Sequence, residues 1–135
     1  MAKLYRLSVV APDRTVFDDE VSALVAPGIA GYLGVMADHE PAIVALKSGV
    51  VELLDKTGQR EHVAITGGFL EVSAGGAIIL ADDARMATDI DIAEEQSTLE
   101  EARKALRGEP SRFNQQQAQY ELDRAMARLK AAKGN

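Results

Sequence analysis

The sequence predicts an α+β chain in which an N-terminal antiparallel β-sandwich over residues 1–86 is followed by an antiparallel two-helix hairpin over residues 87–135. Three observations lead there. Residues 4 to 81 alternate apolar and polar with period two and are punctuated by turn residues every several positions, which is the pattern of short antiparallel strands. After about Arg85 the period changes to a helical one. Gly108 and Pro110 then interrupt that helical run and split it in two.

Taken in order, Tyr5, Leu7 and Val9 share one strand face, and Pro12-Asp13 turns the chain. Val16-Phe17 leads into Asp18-Asp19-Glu20, read as a further turn, and Val21 to Ala26 forms a strand that stops at Pro27-Gly28, a pair suited to a type II turn. Next comes Gly31-Tyr32-Leu33-Gly34-Val35-Met36, followed by Asp38-His39-Glu40-Pro41. Glycine costs about 1 kcal/mol and proline about 3 kcal/mol in a helix interior, so this run reads as a strand with loose ends. Glycine inside a strand marks a bulge or a close approach of another backbone, which makes the stretch a candidate docking surface. Ile43 to Leu46, a turn at Lys47-Ser48-Gly49, Val50 to Leu54 and a turn at Thr57-Gly58 follow. Then come His62 to Ile65, the second glycine motif Gly67-Gly68-Phe69-Leu70-Glu71-Val72, and Gly75-Gly76 leading into Ile78 to Leu80.

In the tail, Asp91 and Glu94 have the spacing of a capping box, and Ile92, Leu99, Ala102 and Leu106 are expected on one helical face. Acidic residues lead this helix and basic ones follow, as the helix dipole favours. The second helix shows a narrow seam of Ala118, Leu122, Ala125, Leu129 and Ala132. An alanine seam allows close approach but buries little area at about 25 cal/mol per Å², so the hairpin is expected to be marginal without a surface to lean on.

Composition excludes several function classes. A net charge of −6 argues against a nucleic-acid or anionic-membrane surface as the main partner, and the absence of cysteine removes disulfide and thiolate chemistry. No signal-peptide pattern and no apolar run near twenty residues is present, so any membrane association is expected through a partner. His39 between Asp38 and Glu40, with His62 as a second ligand, does not match a metal or acid/base site, because the two histidines lack an i,i+4 partner and a third nitrogen ligand. Gly67-Gly68 lacks the Lys-Ser/Thr of a phosphate loop, and Gly28, Gly31 and Gly34 do not form a dinucleotide fingerprint. No catalytic residue, metal or cofactor is assigned. The basic residues Arg103, Lys104, Arg107, Arg112, Arg124, Arg128, Lys130 and Lys133 read as a solvated face that can also meet an acidic partner.

The two glycine motifs in their order and spacing, together with Val10-Ala11-Pro12-Asp13, Phe17, Ile79-Leu80-Ala81 and Arg124-Ala125-Met126, resemble the epsilon subunit of F-type ATP synthases along essentially the whole chain. The resemblance implies a non-catalytic rotor subunit at the cytoplasmic face of the cell membrane. Its sandwich is expected to dock on the gamma subunit and the c-ring, and its hairpin to restrain ATP hydrolysis by the alpha and beta subunits. It places Gly31, Tyr32, Leu33, Gly34, Val35, Met36 and His39 toward the ring and gamma, with Tyr32 replacing an acidic residue of the family. Arg103, Arg107, Arg124 and Arg128 become contacts for an acidic loop of the catalytic head. Some bacterial relatives bind ATP through an Ile-Asp-x-x-Arg-Ala motif and second-helix arginines. This chain keeps Ile90, Asp91, Arg124 and Arg128 but has Glu94 and Glu95 for the arginine and alanine, so weak or no ATP binding is expected. The other reading is a free-standing adaptor with a β partner-binding domain and a dimerising helical hairpin.

Overall fold

The computed structural model describes residues 2–134. Seven strands come first, β1 (Tyr5–Ala11), β2 (Arg14–Gly28), β3 (Gly31–Met36), β4 (Ala42–Asp55), β5 (Arg60–Ser73), β6 (Gly76–Ala81) and β7 (Ala84–Met86). A single 3-10 turn at Ala87–Asp89 leads to helices α1 (Ile92–Leu106) and α2 (Gln115–Ala132). The strand order is β1-β6-β5-β4-β2-β3, and β1 also pairs with β2, so the sheet closes on itself as a flattened barrel. β1 runs parallel to β6, whereas the other pairings are antiparallel. Leu7, Val9, Val21, Leu24, Val35, Val51, Leu53, Val63, Ile65, Leu70 and Ile79 fill the interior.

Three of the expected turns are not turns. Asp18-Asp19-Glu20 lies inside β2, with Asp18 accepting from Arg6 and Ser8 and Asp19 paired with Lys56, so the acids decorate an outer edge instead of breaking the strand. Pro27-Gly28 also belongs to β2, and the reversal falls at Ile29-Ala30 between the paired Gly28 and Gly31. Lys47-Ser48-Gly49 is continuous strand: β4 and β5 form one long hairpin, in register from Ala42 opposite Val72 to Leu54 opposite Arg60. The inward face instead changes parity there. Val44 and Leu46 face inward before the change and Val51 and Leu53 after it, while on β5 Val63 and Ile65 give way to Leu70 and Val72. Both strands therefore twist over at one level. Gly68, at φ 141°, allows it, because a Cβ there would lie 2.1 Å from the Leu80 carbonyl oxygen.

α2 lies on the outer side of β4 and β5, where Val50 and Ala64 meet Ala127 and Ala131, and α1 packs on α2. The buried face of α1 is Glu95, Thr98, Ala102 and Ala105; of the expected apolar stripe Ala102 is buried and Leu99 half-buried, while Ile92 and Leu106, at its two ends, are exposed. α2 uses two sides, so Ala127, Arg128 and Ala131 are buried in addition to the seam residues Ala118 and Ala125. Asp91 caps α1 by accepting from the Glu94 N–H, while the reciprocal capping box forms at Asn114 and Gln117 on α2. Gly108, at φ 77°, closes α1: its N–H donates to Ala105 and that of Glu109 to Lys104, the pairing of a Schellman motif.

Candidate functional site

β3 and the loop after it form one end of the barrel. Its alternation sends Tyr32 and Met36 outward at 56% and 64% exposure, whereas Val35 is buried at 1% and Leu33 is half-buried. Of the residues placed toward a partner by sequence, Val35 therefore belongs to the interior, and its backbone carbonyl accepts from the Tyr5 hydroxyl at 2.7 Å. Burial pushes the Tyr5 phenol up to about 12. Gly34 faces open space, leaving backbone accessible between Tyr32 and Met36. His39 closes a turn by donating its N–H to the Met36 carbonyl at 3.3 Å, with Asp38 in the left-handed region at φ 65° and bridged to Lys3 at 2.9 Å. A cleft of about 550 Å³ opens beneath this loop, lined by Tyr5, Val35, His39, Pro41 and Val72 among others.

A second surface includes Phe69 of the second glycine motif, but its other members, Ile43, Ile78 and Leu80, were not singled out as contacts by sequence. Pairing sets Phe69 opposite Leu80, and Ile43 opposite Glu71, which is itself opposite Ile78. Ile43, Phe69, Ile78 and Leu80 consequently share the outer side of β4, β5 and β6, with exposures of 74, 55, 41 and 55%. Four large apolar side chains on adjacent strands make a contiguous patch, and such patches mark interaction sites. Period-two alternation carried the signal, because Phe69 and Leu80 stand out of phase with the buried Leu70 and Ile79.

The helix arginines have unequal situations. Arg103 is exposed; Arg107 is exposed and paired with Glu109 at 2.7 Å and Glu100 at 3.7 Å. Arg124 is half-buried, pairs with Glu121 and lies over the Tyr120 ring at 5.6 Å. Arg128 is buried between Glu95 and Asp83. In this docked arrangement it is not presented outward to an acidic loop. Nor do Ile90, Asp91, Arg124 and Arg128 converge on an open pocket. Ile90 packs against the Val50 and Ala64 cluster, Asp91 caps α1, and both arginines are engaged with carboxylates. Glu95, the residue expected to repel a phosphate, is the partner of Arg128.

The hairpin connector is also tied down. Ser111 donates to the Glu101 carbonyl at 2.7 Å and Arg112 to Thr98 at 3.1 Å, while the Arg112 N–H holds the Glu101 carboxyl below the usual carboxylate range. His62 is nearly buried, 3.3 Å from Glu52. Among the described residues there is no group of three or more His, Cys, Asp or Glu side chains that could hold a metal, and no helix is long and apolar enough to cross a membrane.

Comparison with known proteins agrees with this architecture. The family model for the ATP synthase Delta/Epsilon chain beta-sandwich domain matches residues 4–87, and that for the Delta/Epsilon long alpha-helix domain matches residues 88–133. The ATP synthase epsilon chain of Moorella thermoacetica is 42% identical over 132 residues, covering 98% of each chain. That of Syntrophomonas wolfei is 38% identical over 128 residues, 95% of this chain and 93% of the relative. A chain in the cryo-EM structure of Euglena gracilis mitochondrial ATP synthase, OSCP/F1/c-ring, superposes with a TM-score of 0.79 at 26% identity, over 96% of this chain and 81% of that one. With both halves matched and the fold shared end to end, the chain belongs to the epsilon-chain family of the F-type ATP synthase.

Proposed function

We propose that this chain is a non-catalytic rotor subunit of a proton-translocating ATP synthase, linking the c-ring to the catalytic head through the gamma subunit and limiting ATP hydrolysis through its C-terminal helices. The exposed apolar patch of Ile43, Phe69, Ile78 and Leu80 is the observation that carries the docking half of this reading. An outer sheet face of that kind needs a permanent partner, and gamma is the partner assigned to it. The parity change at Lys47–Gly49 and Thr66–Gly68 separates this patch from the α2-covered part of the same strands, so gamma and the hairpin occupy different surfaces. Tyr32, Met36 and the His39 turn, at the barrel end, are assigned to the c-ring. The chain is held at the cytoplasmic face of the membrane only through the complex.

Two features support the regulatory half. The contact between α2 and the sheet is built from small residues, Val50, Ala64, Ala127 and Ala131, and each buried methyl or methylene contributes only about 0.8 kcal/mol. A docked hairpin held so lightly can leave the sandwich at modest cost. A dimerising adaptor would need the α2 seam free, but its Ala118 and Ala125 already pack within the chain.

Co-purification tests the reading. Co-expressed alpha, beta and gamma subunits should be retained by the tagged chain, and Phe69→Glu with Leu80→Glu should release gamma while the isolated variant still melts cooperatively. Deleting residues 88–135 should leave assembly intact and raise ATPase activity of the reconstituted complex. Retention of gamma by the double variant, or unchanged ATPase after the deletion, would overturn the docking and the regulatory half respectively.

A further inference from the structure

Three charged side chains meet where α1, α2 and the bend between β6 and β7 come together. Arg128 donates from Nη1 to Glu95 at 3.0 Å and from Nη2 to Asp83 at 2.9 Å. Arg128 is 5% exposed and Glu95 2%. Asp83 is held in place by its neighbours: the Thr66 N–H donates to its carbonyl at 3.1 Å, and the Asp82 N–H donates to the Gly67 carbonyl at 3.1 Å. The glycine pair that lets β5 twist thus also anchors the bend that carries Asp83. Glu95 lies in the first turn of α1 and Arg128 in the last turns of α2. A single guanidinium therefore ties both helices to the sandwich.

A triad of this kind behaves differently from an apolar contact of the same size. While the hairpin is docked, burial by itself would lower the Arg128 pKa, but the adjacent Asp83 and Glu95 outweigh it and raise it, keeping the guanidinium charged. When the hairpin lifts, all three groups return to water and recover the hydration they gave up. The net preference between the two forms is then small, even though each pair is strong at close range. Removing one member is not symmetrical in that way. Loss of Arg128 leaves the buried Glu95 beside Asp83 without a cation, and loss of the Glu95 charge leaves a buried guanidinium with Asp83 as its one ionic partner, in the docked form only, so the docked form alone is penalised.

We infer that Glu95, Arg128 and Asp83 form an internal latch that holds the hairpin on the sandwich without a bound ligand, with the Glu95 carboxylate acting as an in-chain anion on Arg128. This inference concerns the isolated chain and does not depend on the rotor reading. Assembly through the Ile43 and Phe69 face can stand if the latch fails, and the latch can stand if assembly fails.

Hydrogen–deuterium exchange on the full-length chain is the test, with strands β1 to β6 as the internal reference for folding. Glu95→Gln preserves shape and removes the charge, and should raise amide exchange in 92–106 and 115–132 on the order of 10-fold. Arg128→Met leaves Glu95 buried beside Asp83 and should raise it on the order of 100-fold. The double variant Glu95→Leu with Arg128→Met removes the buried Glu95–Arg128 pair together and leaves only Asp83, whose side chain is 27% exposed and can be hydrated, so it should bring helix protection back to that of the unaltered chain or beyond it. Millimolar ATP or inorganic phosphate should leave exchange of the unaltered chain unchanged. Single variants with unaltered helix protection, a double variant as open as the singles, or an unaltered chain protected only when ATP or phosphate is added would each overturn the latch.

Discussion

Lys130 on α2 donates to the Tyr32 hydroxyl on β3 at 3.3 Å, and its ammonium lies 5.7 Å from the centre of the Tyr32 ring. The β3 end of the barrel and the helical hairpin thus share one side chain. Both partners are exposed, so the contact is worth only about 0.5–1 kcal/mol. Tyr32→Phe keeps the ring beneath the ammonium and loses only the hydroxyl. Tyr32→Ala loses both. Exchange of the α2 amides should rise a few-fold in the alanine variant and hardly at all in the phenylalanine variant, and an equal rise in the two would assign the contact to the hydroxyl alone.

Residues 1–86 should fold without the tail, because the interior is enclosed by strands that close on one another before α1 begins. Loss of the helices uncovers Val50 and Ala64, which are 5% and 2% exposed in the full chain. The truncated chain should therefore melt cooperatively at a lower temperature than the full one. A broad, non-cooperative melt would show that the sheet needs α2 as its outer layer.

Gly68 and Gly34 make opposite predictions although both stand in glycine motifs. Alanine at Gly68 combines a φ of 141° with a Cβ 2.1 Å from the Leu80 carbonyl, so the bend must shift; Tm should fall on the order of 10 °C. Alanine at Gly34 meets nothing within 4 Å, and stability should stay within about 0.5 kcal/mol. Any effect of Gly34→Ala should appear in co-purification with the c-ring instead. Thermal melts of the two variants decide the first point and pull-down the second.

Tyr5 sets an alkaline limit. Burial raises its folded pKa to about 12 from an unfolded value near 10, so the stability it contributes is fully present below pH 10 and is lost as pH rises toward 12. The stability difference between the unaltered chain and Tyr5→Phe should be constant up to about pH 10 and narrow above it. Urea melts between pH 8 and 11.5 would show this, and a difference independent of pH across that range would contradict the assignment.

ATP binding by the isolated chain should be weak or absent. Arg124 and Arg128 are occupied by Glu121 and by Glu95 with Asp83, and a triphosphate would have to displace those carboxylates. Two like unit charges about 4 Å apart cost on the order of 4 kcal/mol at an effective dielectric near 20. Titration calorimetry should register no micromolar affinity, and the Glu94→Arg, Glu95→Ala variant should gain heat of binding. Micromolar affinity in the unaltered chain would show that the carboxylates yield more readily than this.

What the sequence determined by itself was whatever neighbours within a few residues decide. Alternation placed Leu7 and Val9 inside, Pro12-Asp13 and Thr57-Gly58 made turns, Asp91 capped α1, and Gly108 ended it, because each of these depends on local sterics or a backbone hydrogen bond close by in the chain. Strand continuity was not legible in the same way. Ser48-Gly49 and Asp18-Asp19 carry turn chemistry, yet pairing with β5 and with β1 supplies those stretches with ladder hydrogen bonds, which an isolated turn would forgo. The rotation of α1 was decided at still longer range. Of its Ile92, Leu99, Ala102 and Leu106 stripe only Ala102 is fully buried, because the helix turns Glu95 inward to reach Arg128, 33 residues away, which in turn reaches Asp83 across 45 residues. A buried carboxylate is costly alone and tolerable only beside a cation, so where Glu95 points could be settled only once three distant segments had been brought together.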